Sequence, residues 1–98
     1  MPRIIVGRGA EGDALEIWDY IAQDNPSAAD RIIDRFGELF RILAEQPFMG
    51  RSVPEFAPNL RVATVGNYLV FYRAMNEGIQ IVRILQSSRD ISLDYFRE

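Results

Sequence analysis

Three runs rich in Val, Ile, Tyr and Phe occupy the second half of the chain and constrain its fold more than any other feature. They cover Leu60 to Val65, Tyr68 to Met75 and Ile79 to Ser87, and a Gly-containing turn separates each from the next. Glycine supplies the positive φ that a tight hairpin needs, so the pattern predicts an antiparallel meander of three strands. The middle run is apolar on both of its faces, which predicts that something covers each side of the sheet.

The segment before the meander predicts a strand and a first helix. Residues Arg3 to Gly7 predict a short strand, and the preceding Pro2 favours an edge position. Asp13, followed three residues later by Glu16, resembles a capping box, so the first helix is predicted to begin there and to end near Gln23. Its apolar positions recur three and four apart and are Ala14, Leu15, Ile17, Trp18, Ile21 and Ala22.

A second helix is predicted from Pro26 to about Glu45. Asn25 suits the N-cap position and Pro26 the first helical position. One apolar stripe at helical spacing faces a core and contains Ala29, Ile32, Ile33, Phe36, Leu39, Phe40 and Leu43. We therefore predict an α+β fold, with an N-terminal strand and a helical hairpin packed on a small antiparallel sheet, a short C-terminal segment, and one domain over residues 1–98.

The stretch from Pro47 to Asn59 predicts a surface loop, because its three prolines and Gly50 disfavour a central strand or a helix interior. It is nevertheless too apolar for a free linker. We expect it to lie against the body of the domain and to be anchored there by Phe48, Met49, Val53 and Phe56.

All eleven basic residues are arginine, and histidine, lysine and cysteine are absent. Arginine keeps its proton near neutral pH, so a general base can only be a carboxylate or a tyrosinate, and an enzymatic function is disfavoured. The lack of cysteine removes disulfides, thiolate catalysis and Cys-ligated metals. We expect no cofactor and no metal.

The net charge is −3 and the sequence pI is about 4.9. Domains that grip phosphate backbones usually carry a large positive excess, so no general nucleic-acid binding is expected. No apolar run approaches the roughly 20 residues of a membrane span, and the N-terminus lacks the apolar region of a signal peptide. We expect no membrane association and a cytoplasmic location.

The first hairpin turn decides which side chains of the first two strands share a face. A two-residue loop at Gly66-Asn67 places Val65 opposite Tyr68 and Arg61 opposite Tyr72.

The second turn leaves two alternatives open. A two-residue loop at Glu77-Gly78 places Arg83 opposite Tyr72, whereas a three-residue loop beginning at Asn76 turns Arg83 to the other face. The first register predicts a cluster on the sheet face away from the helices, and its members are Arg61, Tyr72, Arg83 and, at the strand end, Arg89. Such arginines are also ordinary on an exposed sheet face, where their stems cover apolar surface.

Several segments across nearly the whole chain form a pattern when taken together. They are Glu16 to Ala22, Asp24 to Pro26, Ala28 to Arg31, Leu43 to Pro47, Gly50-Arg51, Gly66 to Arg73, and Arg89-Asp90. In order and spacing they resemble the RelE/ParE toxin superfamily, and within it the ParE branch. The resemblance implies a toxin of a bacterial type II toxin–antitoxin pair, silenced by a cognate antitoxin. ParE-like toxins trap DNA gyrase with cleaved DNA, whereas RelE-like toxins cut messenger RNA in the ribosome.

The nuclease branch carries a cluster of basic residues on the sheet, and this chain keeps only part of it. Arg89 and Tyr95 match the arginine at the end of the third strand and the C-terminal tyrosine. Leu69 stands where that branch has the hairpin arginine, and Leu60 and Val62 occupy its lysine positions. An apolar side chain cannot stabilise the charge of a transition state, so the resemblance favours an inhibitor that needs no chemistry of its own.

The resulting hypothesis is a gyrase-binding toxin that contacts its target through Arg61, Arg89 and Tyr95. One alternative is a ribosome-dependent RNA endonuclease in which Arg61, Arg83 and Arg89 supply charge and Tyr95 acts as acid or base. Another is an inactive relic that only binds antitoxin. The antitoxin is expected to be a short DNA-binding protein with a disordered tail, which docks a helix or strand across the helical hairpin and the sheet. Its expected contacts are Trp18, Phe48, Phe56 and Tyr72.

Overall fold

The computed structural model describes residues 2–97 and confirms the α+β fold class. Its central element is a sheet of five strands in the order β1-β5-β4-β3-β2. The elements are β1 (Arg3–Val6), α1 (Arg8–Ala22), α2 (Pro26–Glu45), β2 (Arg51–Ser52), β3 (Leu60–Val65), β4 (Tyr68–Met75), β5 (Gly78–Gln86) and a 3₁₀ turn (Leu93–Phe96).

The sheet is mixed rather than wholly antiparallel. Strands β2 to β5 pair antiparallel, but β1 lies parallel to β5, with Ile4 opposite Ile79. The helical hairpin provides the long connection that a parallel neighbour requires. β1 pairs with β5 only as far as Ile81. Beyond Ile81, the backbone groups on that edge of β5 therefore have no strand partner within residues 2–97 and are available to other groups.

The first hairpin has the predicted register. Val65 lies opposite Tyr68 and Arg61 opposite Tyr72. Gly66 has a φ of 54°, a left-handed conformation that glycine adopts without the steric cost of a Cβ atom. The Gly66-Asn67 signal was therefore sufficient to define this half of the meander.

The second hairpin follows neither of the two predicted turns. Its loop is Asn76-Glu77, with Met75 opposite Gly78, and the positive φ of 64° belongs to Glu77. Gly78 is needed for another reason, since a Cβ atom there would overlap the backbone of Arg3 on the neighbouring strand.

An irregularity in β5 then determines where Arg83 lies. Tyr72 is opposite Ile81, but Phe71 is opposite Arg83, so Val82 is an extra residue between the two pairs. Such a bulge reverses the alternation of the following side chains. Arg83 is thereby placed on the side of Phe71 instead of the side of Tyr72.

Helix α1 begins earlier than predicted, and the predicted cap at Asp13 is wrong. The helix starts at Arg8, preceded by Gly7, which offers no side chain to cap it. Asp13 lies in the helix interior and is only 7% exposed. Leu15, predicted to face the core, is 63% exposed. Helix α2 matches its prediction, because the Asn25 side chain accepts a hydrogen bond from the Ala28 amide at 3.1 Å.

Each face of the sheet carries its own apolar core, as the middle strand predicted. The core under the helices contains Ala10, Phe36, Leu43, Ala44, Val65, Val70, Tyr72, Ile79, Ile81 and Ile84. The core on the opposite face contains Val53, Ala57, Leu60, Val62, Phe71, Leu85 and Phe96. The second core is covered by the 53–57 loop and by the 3₁₀ turn, not by a helix.

The loop after α2 uses only two of its four predicted anchors. Val53 is buried and Phe56 is half-buried against the second core. Phe48 and Met49 are instead 71% and 51% exposed, so their prediction as anchors is wrong. Both residues precede the short strand β2, which ties the loop to β3 through its backbone.

Candidate functional site

Asp13 and Arg83 form an ion pair beside the part of β5 that extends beyond its pairing with β1. The carboxylate of Asp13 accepts hydrogen bonds from Nε and Nη2 of Arg83, both at 2.7 Å, and from the backbone N–H of Ile84 at 2.8 Å. Because β1 ends opposite Ile81, the Ile84 amide lies beyond its strand partner. Asp13 replaces that partner with a side chain from α1.

The hydrogen bonds to Asp13 raise the pKa of the Arg83 guanidinium, although its partial burial acts in the opposite direction. Arg83 therefore keeps its positive charge at neutral pH, and it donates protons in hydrogen bonds without releasing them. Gly9 allows this arrangement, because a Cβ atom there would lie 2.7 Å from Cδ of Arg83.

Two arginines, Arg83 and Arg89, lie close to Tyr95. We call these three residues the Tyr95 site. Nη1 of Arg83 donates to the backbone oxygen of Tyr95 at 3.2 Å. The guanidinium carbons of Arg83 and Arg89 lie 5.1 and 5.8 Å from the centre of its ring, within the range of cation–π attraction. Arg89 is exposed. Three of the four residues considered for a nuclease thus meet at one place.

Arg61 and Tyr72 do not belong to that site, and the predicted cluster on the sheet face away from the helices is wrong. Tyr72 is wholly buried in the core beneath the helices. Arg61 donates from Nη1 to the backbone oxygen of Gly50 at 2.7 Å, and its guanidinium carbon lies 5.0 Å from the centre of the Phe48 ring. Arg61 is held against the loop after α2.

The buried Tyr72 hydroxyl forms hydrogen bonds to the same loop after α2. It donates to the backbone oxygen of Pro47 at 2.9 Å and accepts from the Gly50 amide at 2.8 Å. Burial raises the pKa of Tyr72, while the Gly50 hydrogen bond and the charge of Arg61 partly offset the rise. A Cβ atom at position 50 would overlap the tyrosine ring, so glycine is required there.

The four side chains predicted to contact an antitoxin lie in different environments. Phe48 is largely exposed. Trp18 is half-buried and donates from its indole nitrogen to Asp30 at 2.9 Å. Phe56 is half-buried, with its ring centre 5.7 Å from that of Phe96. Tyr72 offers no surface to a partner in this conformation.

A cavity of about 430 Å³ adjoins the Tyr95 site between α1 and the ends of β4 and β5. Arg89, Asp13 and Glu16 line it together with the rings of Tyr20 and Tyr68. The sequence supplies no histidine, lysine or cysteine to this or any other site. Within residues 2–97, no group of three or more acidic side chains could hold a metal ion. No helix in that range is long and apolar enough to cross a membrane.

Sequence reasoning missed Asp13, although a signal for it existed. Ala10, Ala14 and Ile17 follow helical spacing, and position 13 falls on the same stripe, four residues before Ile17. A carboxylate on a buried stripe needs a partner. Taking the first helix back to Arg8 would have marked Asp13 as buried and paired.

Comparison with known proteins identifies the family and supports the fold. Residues 4–91 match the family described as the ParE toxin of the type II toxin–antitoxin system parDE. Toxin ParE3 of Caulobacter vibrioides is 28% identical over 93 residues, which cover 94% of this chain and 93% of that protein. A solved structure of the chromosomal ParDE system from P. aeruginosa aligns with a TM-score of 0.72 and 25% identity, covering 88% of this chain and 96% of that chain.

Proposed function

Because the chain belongs to the ParE toxin family of type II toxin–antitoxin systems, we propose that it inhibits DNA gyrase by direct binding and that a cognate antitoxin neutralises it. The observation that carries the proposal is the Tyr95 site, which presents the fixed positive charge of Arg83 and Arg89 in a chain without histidine, lysine or cysteine. The proposal also places the protein in the cytoplasm, where bacterial gyrase acts on DNA.

The Tyr95 site suits binding more than chemistry. Arg83 binds Asp13 and the Tyr95 backbone. The Arg89 side chain is exposed, and within residues 2–97 Arg89 forms a hydrogen bond only through its backbone amide, which donates to the backbone oxygen of Gln86. Exposed arginines beside a tyrosine ring are typical of protein contact surfaces, where both residue types are enriched. We therefore assign the target contact to Arg89 and Tyr95, with Arg61 as a second contact on the loop side.

RNA cleavage is the second candidate, because Arg83, Arg89 and Tyr95 meet at one site. The positions that would complete a nuclease site are unsuited to it. Leu60 and Val62 are buried in the second core, and Leu69 packs against the same core. Side chains in these places cannot reach a phosphate or stabilise developing charge. The available cations therefore support binding of a target better than turnover.

Neutralisation is expected to involve the exposed Phe48 and the half-buried Trp18. An aromatic ring that is 71% exposed gains much apolar burial when a partner covers it. Phe48→Ala is expected to weaken antitoxin binding about thirtyfold, the loss typical of a hot-spot residue. Leu93→Ala, at another exposed apolar residue (53%), is the control and is expected to leave the affinity unchanged in a titration calorimetry experiment.

The function is tested with purified protein in two assays run side by side. We expect inhibition of gyrase supercoiling and intact ribosome-bound message. Arg89→Gln is expected to weaken inhibition about tenfold, the loss of one charge-assisted contact. Arg31→Gln makes the same change of charge on the exposed face of α2 and is expected to be neutral. Cleaved message would assign the nuclease function instead, and inactivity in both assays together with antitoxin binding would identify a relic.

A further inference from the structure

A second cavity, of about 500 Å³, lies between the start of α1, strands β4 and β5 and the C-terminal segment, and arginine dominates its lining. We call it the arginine groove and define it by Arg8, Arg73, Arg83 and Arg97. These are four of the eleven basic residues of a chain whose net charge is −3. Within residues 2–97, no carboxylate lines the groove. The local positive charge is therefore not a consequence of a generally basic surface.

The fold brings these arginines together from four parts of the chain. Arg8 is the first residue of α1, Arg73 and Arg83 belong to β4 and β5, and Arg97 follows the 3₁₀ turn. Gly7 gives no side-chain cap to α1, so the positive end of a 15-residue helix also faces this region. The bulge at Val82 is what turns Arg83 away from the helix-side core and toward the groove.

Most of the guanidinium donors in the groove remain available. Only Arg83 is fully engaged, by Asp13 and the Tyr95 backbone. Arg73 donates from Nε to the backbone oxygen of Pro58 at 3.3 Å, which leaves its two terminal nitrogens without a partner among residues 2–97. Arg97 pairs with Asp94 at 3.4 Å, with both side chains 77% exposed, a pairing that contributes little. The Arg8 side chain has no partner within the described range.

The groove is better suited to carboxylates on a peptide than to nucleic acid. Single-stranded nucleic acids bind by stacking bases on open aromatic rings. Here Phe96 is buried, and Arg83 and Arg89 already lie over the Tyr95 ring. The net negative charge of the chain also opposes a dense polyanion at long range. Arginine forks bind single carboxylates through paired hydrogen bonds and need no such stacking surface.

From this charge pattern we propose that the arginine groove binds an acidic segment of a partner protein, whose Asp or Glu side chains pair with Arg8, Arg73 and Arg97. This interface is formed by the start of α1, strands β4 and β5 and the C-terminal segment, and it is separate from the exposed Phe48. It does not depend on which macromolecule the protein inhibits, so gyrase inhibition and groove binding can fail independently.

The test is fluorescence anisotropy of the purified full-length chain with labelled oligoglutamate, using oligoglutamine of the same length and a single-stranded uridine oligonucleotide as comparisons. We expect oligoglutamate to bind most tightly, and Arg73→Gln or Arg8→Gln to weaken it about tenfold each. Arg31→Gln, which makes the same charge change on α2, is expected to leave binding unchanged. Equal losses in all three variants would show non-specific attraction and overturn the proposal.

Two further outcomes decide the matter without relying on the variants. In the unmodified protein, oligoglutamate is expected to shift the backbone amide resonances of Gly9, Gln80 and Val82, which line the groove. Shifts confined to α2 would contradict the assigned site. Tighter binding of the uridine oligonucleotide at the same amides would also overturn the proposal, in favour of a nucleic-acid groove.

Discussion

The two faces of the sheet are covered in different ways. One face packs against two regular helices, whose buried residues, such as Phe36 and Leu43, are fully enclosed. The other is closed by the 53–57 loop and by the 3₁₀ turn, which contribute separate apolar side chains such as Val53 and Phe96. Regular helices give a continuous core, whereas isolated anchors leave gaps between them. The arginine groove lies beside this second core and the Tyr95 site at its margin, so the less regular cover carries both of the arginine-rich surfaces.

The largest loss of stability is expected from Phe36→Ala, in the core under the helices. Phe36 is 2% exposed, and its ring centre lies 5.6 Å from that of Tyr68. Removing it from an enclosed core is expected to lower the free energy of unfolding by about 4 kcal/mol, measured by urea denaturation. Phe48→Ala, at an exposed phenylalanine, is the control and is expected to cost less than about 1 kcal/mol. Equal costs would contradict the assignment of the main core.

The second largest loss of stability is expected from the replacement of Asp13, at the edge of the sheet formed by β5. Asp13→Ala leaves Arg83 without its carboxylate and the Ile84 amide without its acceptor. We expect Asp13→Ala to lower the free energy of unfolding by about 3 kcal/mol in the same urea experiment. This value is at the low end of the range for breaking a buried ion pair, because Arg83 is partly exposed. Asp34→Ala, on the exposed side of α2, is expected to stay within about 0.5 kcal/mol. A small effect of Asp13→Ala would mean that water replaces its role.

A smaller and more local loss is expected from Phe96→Ala on the second face. Phe96 is 8% exposed and packs on Phe71, with ring centres 4.8 Å apart. Its segment is a 3₁₀ turn outside the five-stranded sheet, so we expect it to open locally without unfolding the sheet and the loss to be about 2 kcal/mol. Amide exchange is expected to quicken in residues 93–96 while β4 stays protected. Equally faster exchange throughout β4 would show that the two faces unfold as one unit.

The smallest effect concerns alkaline pH and the buried Tyr72. Its pKa is raised above the ordinary 10.0 by burial, so the folded protein favours the neutral phenol. This contribution to stability is fully present below pH 10.0, the unfolded value, and is lost as pH rises toward the folded pKa, with a slope of at most about 1.4 kcal/mol per pH unit. Thermal denaturation of Tyr72→Phe is expected to lack this slope, while Tyr20→Phe, at an exposed tyrosine, retains it. Identical pH profiles for Tyr72→Phe and the unmodified protein would assign the slope to other groups.

The parts of the fold that sequence could predict are those in which one local signal decides the geometry. Gly66-Asn67 defined the first hairpin, and Asn25-Pro26 defined the start of α2. The second hairpin was not predictable, because Glu77 rather than Gly78 adopts the positive φ and a bulge at Val82 shifts the register. The close approach of β1 to Gly78 and the bulge in β5 are tertiary features that a local pattern does not contain.

The residues of the candidate site also divide into those that the sequence could predict and those that it could not. Arg89 and Tyr95 were singled out by resemblance, and they lie together. The grouping of Arg61 with Tyr72 and Arg83 failed, because their faces depended on the bulge and on which face the helices cover. Asp13 is joined to Arg83 across seventy positions of sequence, and no pattern within the first helix alone names that partner.

We propose that this toxin acts by occupying its target and not by catalysis, and the most direct measurement is Tyr95→Phe in the gyrase supercoiling assay. The substitution keeps the ring beneath the arginines and removes only the hydroxyl group. We predict less than a tenfold change, with inhibition that rises in proportion to the amount of toxin relative to gyrase. A loss of about 10²- to 10⁴-fold, the range expected when a general acid or base is removed, would contradict the account.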